Sequence, residues 1–341
     1  MRAQNIWLLG ALTALLVGCV AAPEGEDQSA MTESAPEEAN TEVMPEPEGP
    51  PVVSEAFATP WPTGFTRREQ ADTALAKTYA FLDQAEEGSG SQYLTMIYQD
   101  TVLEFHREWA DDLSFLTADA FSYVLNDEVV LVHGTNSKFF LEEMAALGRP
   151  VVPGFEQCCG SGNAGVAYKG SAWMSFPQDF IREEIPTMNH ISATPHELLH
   201  IVQDTLDEGP GGQVLPPGNP LYRPVWLTEG SAQFMGEAIV AYRGYQPYWG
   251  NHFTASASEA TEEDFILSRH EAFVGSSDPY NYGSLATEYI IASVGVEPLM
   301  NIWKLAGEGA SFEDAFEEAL GISVQDFYAA YDAMVESMVL D

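Results

Sequence analysis

Between residues 22 and 55 the chain carries ten acidic residues and six prolines, with no lysine, arginine or aromatic residue. Such a segment cannot bury enough apolar surface to offset the entropy of ordering it, so it cannot join a core. This feature divides the sequence into a short apolar leader, a disordered acidic tether over 19–56 and a folding region over 57–341. As a coil the tether would average roughly 35 Å end to end, more with charge repulsion and proline stiffness. The whole chain has 341 residues, 45% of them hydrophobic and 11% aromatic, enough for a sizeable core beyond residue 57.

The leader, "MRAQNIWLLGALTALLVGCV", has one positive charge, Arg2, followed by an apolar run over 6–17. That run is short for a membrane span and has the shape of an export signal. It ends in "LVGC", residues 16–19, which resembles the bacterial lipobox. The resemblance implies that a signal peptide over 1–18 is removed and that Cys19 becomes the lipid-bearing N-terminus. The protein would then be held to a membrane by its acyl chains. Ala21, at the second position after the cysteine, is not aspartate, which by the same resemblance points to the outer membrane or cell surface. A plain secretory signal with an incidental cysteine is the alternative.

Net charge is −39, from 52 acidic against 13 basic residues. From residue 56 onward 42 acidic and 12 basic side chains remain, so the acidity extends well beyond the tether. This excludes nucleic-acid binding, which needs a basic surface to displace counterions, and argues against docking on anionic lipid heads. A surface with only four lysines, Lys77, Lys138, Lys169 and Lys304, fits a saline habitat. Besides Cys19 the cysteines are the neighbours Cys158 and Cys159. In an oxidising envelope they can form a vicinal disulfide, stay reduced or bridge two chains, and their spacing does not suit a thiolate zinc site.

Apolar spacing predicts helices over 66–87 and 92–113, a strand over 128–134, a helix over 136–147 and one or two strands over 164–176 broken at Gly170. A helix bearing "HELLH" follows, then a Gly/Pro loop over 208–224 and a helix over 224–242. Further helices are predicted over 261–273, 281–293, 296–306, 311–319 and 323–338. Strands first and helices after give an α+β fold with a helical C-terminal half, whose helical subdomain starts at about residue 244.

In "TPHELLH", residues 194–200, Thr194 is placed to cap a helix and Pro195 suits its first turn. His196 and His200 then sit one turn apart on one face, where both imidazoles can reach one ion at about 2.0–2.1 Å. Glu197 points about 100° round the helix, placed to take a proton from water rather than to bind the ion. Two histidines on a helix are also common as plain polar-face residues. The next predicted helix carries "WLTEGSAQF", residues 226–234, after a gap over 201–228.

Together these two segments resemble the gluzincin metallopeptidases, zincins whose third zinc ligand is a glutamate on a following helix. The resemblance implies a zincin-like mixed sheet with an active-site helix, Zn2+ held by His196, His200 and Glu229, and Glu197 as general base. It also implies that the small residues after Glu229 let that helix pack closely on the "HELLH" helix. "YNYGSLATEYIIASVG", residues 280–295, is similar to the segment in which a tyrosine three residues before a glycine opens a helix behind the site. That assigns the oxyanion-stabilising hydroxyl to Tyr280, with Tyr282 as the competing assignment and a merely structural pair of tyrosines as the alternative. The stretch 311–331 is similar to C-terminal packing helices of the same clan. The strand "SAWMSF", 171–176, stands where an edge strand pairs with substrate backbone, and a buried strand is the alternative. Three features depart from the pattern. The gap between His200 and Glu229 is longer, Gln233 stands where an aspartate orients a ligand histidine, and the amino-terminus-binding motif of the aminopeptidases is missing. His106, His133, His190, His252 and His270 read as ordinary polar or capping residues, with His190 near enough to His196 to support it.

The expectation is therefore a lipid-anchored zinc endopeptidase of the cell envelope acting on peptides or proteins. Two rivals are a non-catalytic peptide- or ligand-binding lipoprotein on a peptidase-like fold and a metal-free structural envelope protein. Nothing in the sequence specifies an oligomeric state.

Overall fold

The structure is a computed structural model that describes residues 66–148, 164–168, 171–175, 188–207, 223–248, 266–271 and 278–339. The leader, Cys19, the acidic tether, Cys158, Cys159, His252 and most of the Gly/Pro loop lie outside the described residues.

The first half supplies a mixed sheet. Helix α1 (Arg67–Leu82) starts with a capping box between Thr66 and Glu69. Strand β1 (Leu94–Tyr98) leads into α2 (Glu104–Ala120), β2 (Val129–Gly134) and α3 (Ser137–Leu147). Strands β3 (Ala164–Tyr168) and β4 (Ser171–Ser175) pair as an antiparallel hairpin. Among the described residues the strand order is β1-β2-β4-β3, with β1, β2 and β4 parallel and β3 antiparallel at one edge. Every residue of β2 is buried, which accounts for its unbroken valine-rich sequence.

The second half is helical: α4 (Met188–Asp207), α5 (Val225–Tyr242), α6 (Pro279–Val294), α7 (Val296–Gly307), α8 (Phe312–Leu320) and α9 (Val324–Val339). The observed class is α+β. Helix α4 lies on β3 and β4, α5 packs on α4, and α6 packs on α5 and α1. Trp226 of α5 stacks on Phe327 of α9, and its indole N–H donates to Tyr328 Oη at 3.1 Å. One hydrophobic cluster runs from Ala74 in α1 to Val335 in α9. In the segment 311–331, Phe312, Phe316 and Phe327 are buried in the core.

Four local expectations are corrected. The helix expected over 92–113 is interrupted by β1, because "LTMIY" is β-prone and pairs in parallel with β2. The "HELLH" helix begins at Met188, so Thr194 and Pro195 are interior and Thr194 is no N-cap. Proline at 195 removes the N–H that Ile191 C=O would accept and sets its ring against that carbonyl, a cost offset by the burial of Ile191, Leu198, Leu199 and Val202. Strand β4 is flanked by β2 and β3, so residues 171–175 are internal, and among the described residues the edge belongs to β3. Within the expected helix 261–273, the described residues form a single 3-10 turn, Leu267–His270.

Backbone contact between α5 and α6 fixes how the C-terminal helices meet the site. A Cβ on Gly230 would lie 2.1 Å from the Gly283 carbonyl carbon, and one on Gly283 would lie 2.1 Å from Trp226 O. Gly230 therefore packs on α6, whereas the sequence had assigned that closeness to the "HELLH" helix. The glycine that meets α4 is Gly236, where a Cβ would lie 2.9 Å from Ser192 O and 3.4 Å from His196 Cβ. Gly283→Ala is expected to force α5 and α6 apart and cost about 2–3 kcal/mol in urea unfolding, and an unchanged unfolding midpoint would contradict this crossing.

Candidate metal centre

His196 and His200 stand one turn apart on α4 and are 7% and 8% exposed. Glu229 is one turn into α5, facing them. The Nε2 atoms of the two histidines are 3.1 Å apart, and Glu229 Oε2 lies 3.3 Å from His196 Nε2 and 3.2 Å from His200 Nε2. Among the described residues these three form the group able to hold a metal ion. Three lone-pair atoms gathered this closely repel one another unless a proton or a cation lies between them. Four-coordinate bonds of about 2.0–2.1 Å give ligand–ligand separations of roughly 3.3–3.4 Å, so the triangle has the size of one face of a zinc tetrahedron. Two imidazole nitrogens and a carboxylate oxygen are also a donor set that suits zinc.

Burial acts to lower the His200 imidazole, but Glu229, Glu197 and the bond to Gln203 outweigh it and lift His200 to about 10. Burial acts to raise the Glu229 carboxyl, but charge on His200 and hydrogen bonds from both imidazoles hold it well below the usual carboxylate range.

Two further groups flank the triangle. Glu197 follows the first histidine on α4, is 7% exposed, and is close enough to act electrostatically on both His200 and Tyr280. Tyr280 begins α6, behind the N-cap Asp278 and Pro279 at the first position. Its ring stacks on His196 at 6.1 Å between centroids, and its hydroxyl bonds the Glu229 carboxylate. Burial first, then the Glu229 and Glu197 charges, push its hydroxyl well above the usual tyrosine value. Tyr282 faces elsewhere. It is 6% exposed, stacks on His270 at 4.6 Å, and its carbonyl accepts from Tyr331 Oη at 3.5 Å. Of the two tyrosines, the geometry brings Tyr280 to the centre.

The support behind the ligands differs from the sequence reading. Gln233 donates to Glu237 Oε1 at 2.6 Å along its own helix. The residue behind a histidine of the triangle is Gln203, which the sequence had not singled out. Its Oε1 is 2.9 Å from His200 Nδ1, and its Nε2 lies 2.8 Å from Ser231 Oγ and 3.3 Å from Thr228 O. The available signal was its position three residues after His200, a neighbour on the same helix face. Of the other histidines, His270 does act as a cap, accepting Asp278 N–H at Nδ1 over 3.1 Å. His106 and His133 are buried in the core, where burial lowers both and brings His133 to about 3. The His190 side chain lies outside the described residues.

Metal uptake needs His200 Nε2 without its proton, and the metal-free protein keeps that proton up to about pH 10. Uptake at pH 7.5 is therefore expected to release about one proton, and affinity to rise about tenfold per pH unit between pH 7 and 9. Calorimetry in buffers of differing ionisation enthalpy measures both, and a pH-independent affinity would contradict the assignment. The same raised value stabilises the metal-free fold in full below about 6.5, the ordinary histidine value. That contribution fades as pH rises through His200's folded value of about 10. No family model, no curated protein and no solved structure matches this chain.

Proposed function

We propose that the chain is a zinc-dependent peptidase of the gluzincin type, with a zincin-like fold, held to the cell envelope by lipid on Cys19. The observation that carries the reading is the convergence of His196 Nε2, His200 Nε2 and Glu229 Oε2 within 3.3 Å of one another, with Glu197 and Tyr280 beside them. Zinc in such a set supplies a Lewis acid that polarises a scissile carbonyl and makes water a nucleophile near neutral pH. Glu197 accepts the proton of the attacking water and passes it to the departing amine nitrogen. Tyr280, kept protonated by burial and the neighbouring carboxylates, turns its O–H from Glu229 to the developing oxyanion. The antiparallel edge β3, beside the zinc-bearing helix, is suited to receive an extended peptide as an added strand. The lipobox-like "LVGC" and the acidic tether support export and a surface or outer-membrane location, with peptides or proteins as substrates.

The test is digestion of a mixed peptide library by the zinc-loaded protein, read by mass spectrometry. Glu197→Gln is expected to keep its zinc and lose about 10²–10⁴-fold in rate, and Tyr280→Phe about 10²–10³-fold with zinc retained. Equal cleavage by wild type and Glu197→Gln would overturn the general base. Zinc binding without any cleavage by wild type would turn the reading to a peptide-binding lipoprotein.

A further inference from the structure

Gln203 joins the two ligand-bearing helices at the level of the ligands themselves. It lies on α4, three residues after His200, and is 2% exposed. Its amide nitrogen reaches across to α5, to the carbonyl of Thr228, the residue before Glu229, and to the hydroxyl of Ser231, two residues after it. A backbone carbonyl can only accept, so the amide atom facing Thr228 O must be the N–H donor. Ser231 Oγ lies within bonding distance of Leu227 O and Thr228 O, which take its proton and leave a lone pair for Gln203. The amide orientation is thereby fixed, and Oε1 faces His200 Nδ1. An amide oxygen accepts, so Nδ1 carries a hydrogen and Nε2 of the neutral ring presents its lone pair toward Glu229 and His196.

We infer that Gln203 is the positioning residue of the metal centre. It selects the His200 tautomer that can bind metal and pins α4 to α5 where the histidines meet Glu229. The inference rests on the zinc reading above. Such outer partners of ligand histidines typically change metal affinity by about 10–100-fold when removed. The role falls on the second histidine of the pair and on an i+3 glutamine, not on Gln233, which bonds Glu237 along its own helix.

Zinc affinity measured by chelator competition on the purified full chain tests this, with wild type, Gln203→Leu, Gln203→Glu and Ser231→Ala side by side. Gln203→Leu, which keeps bulk and loses the acceptor, is expected to bind zinc about 10–100-fold more weakly. Gln203→Glu, which retains an acceptor for Nδ1–H, is expected to recover most of that loss. Ser231→Ala frees the amide and is expected to fall between. Nitrogen-15 spectra of the zinc-loaded wild type are expected to show a protected Nδ1–H on His200, absent from Gln203→Leu. A folded Gln203→Leu with wild-type affinity and an unchanged His200 signal would overturn the inference. If Gln203→Leu does not fold, a Gln203→Glu protein as weak as a ligand-histidine variant, or Ser231→Ala with unchanged affinity, would overturn it instead. Failure of wild type itself to bind zinc would defeat the underlying metal reading, a separate result.

Discussion

Gly230 and Gly283 meet through their backbones, and the candidate centre lies within a turn of that contact. Glu229 precedes one glycine and Tyr280 stands three residues before the other. Any side chain at either position would enter the opposing backbone at about 2 Å. The approach therefore sets how far Tyr280 stands from the carboxylate it bonds. On its other side α5 meets α4 at Gly236, against the backbone of Ser192 and His196. Two glycines six residues apart thus bring α5 against both neighbours, and each neighbour carries part of the site.

Two carboxylates on adjacent helices, the buried Glu288 and the partly buried Glu229, differ in how their charge is met. Glu288 of α6 is fully buried, and burial raises its carboxyl above the usual value. It is held by Arg67 and accepts from Gln70 Nε2 at 2.9 Å and from Tyr248 Oη at 2.8 Å. That arrangement satisfies a charge with a permanent cation and ties α1 to α6. Glu229 is met instead by two imidazoles, groups that can be neutral, with the Tyr280 hydroxyl completing the set. Removing charges from water costs several kcal/mol per ion unless partners compensate. Arg67, Gln70 and Tyr248 offset part of that cost for Glu288, whose carboxyl still stays above its usual value. Glu229 obtains its compensation from a protonated His200, whose proton stands where the proposed cation would sit.

Much of this was legible in the sequence, for identifiable reasons. The histidine pair and Glu197 follow from helical geometry, and Glu229 and Tyr280 from motif resemblance, since each motif occupies one continuous stretch. The long amphipathic helices over 296–306, 311–319 and 323–338 were within a residue or two of those observed, because their apolar spacing is regular. What was missed depends on contacts between distant segments. Strand β1 exists because β2 offers it a parallel partner, and residues 94–98 read locally as part of a helix. The internal position of β4 depends on β3 folding back onto it. Gly230 was given the wrong neighbour because a glycine announces a close approach without naming what approaches. Gln203 escaped notice since its two contacts on α5 are 25 and 28 residues along the chain.

The proposed centre has three side chains from two helices around a single divalent cation. Anomalous diffraction at the zinc edge from crystals of the zinc-loaded protein tests it directly. One peak is expected at about 2.0–2.1 Å from His196 Nε2, His200 Nε2 and Glu229 Oε2. A zinc-saturated crystal with no peak among those atoms, or with Glu229 turned away from both imidazoles, would contradict it.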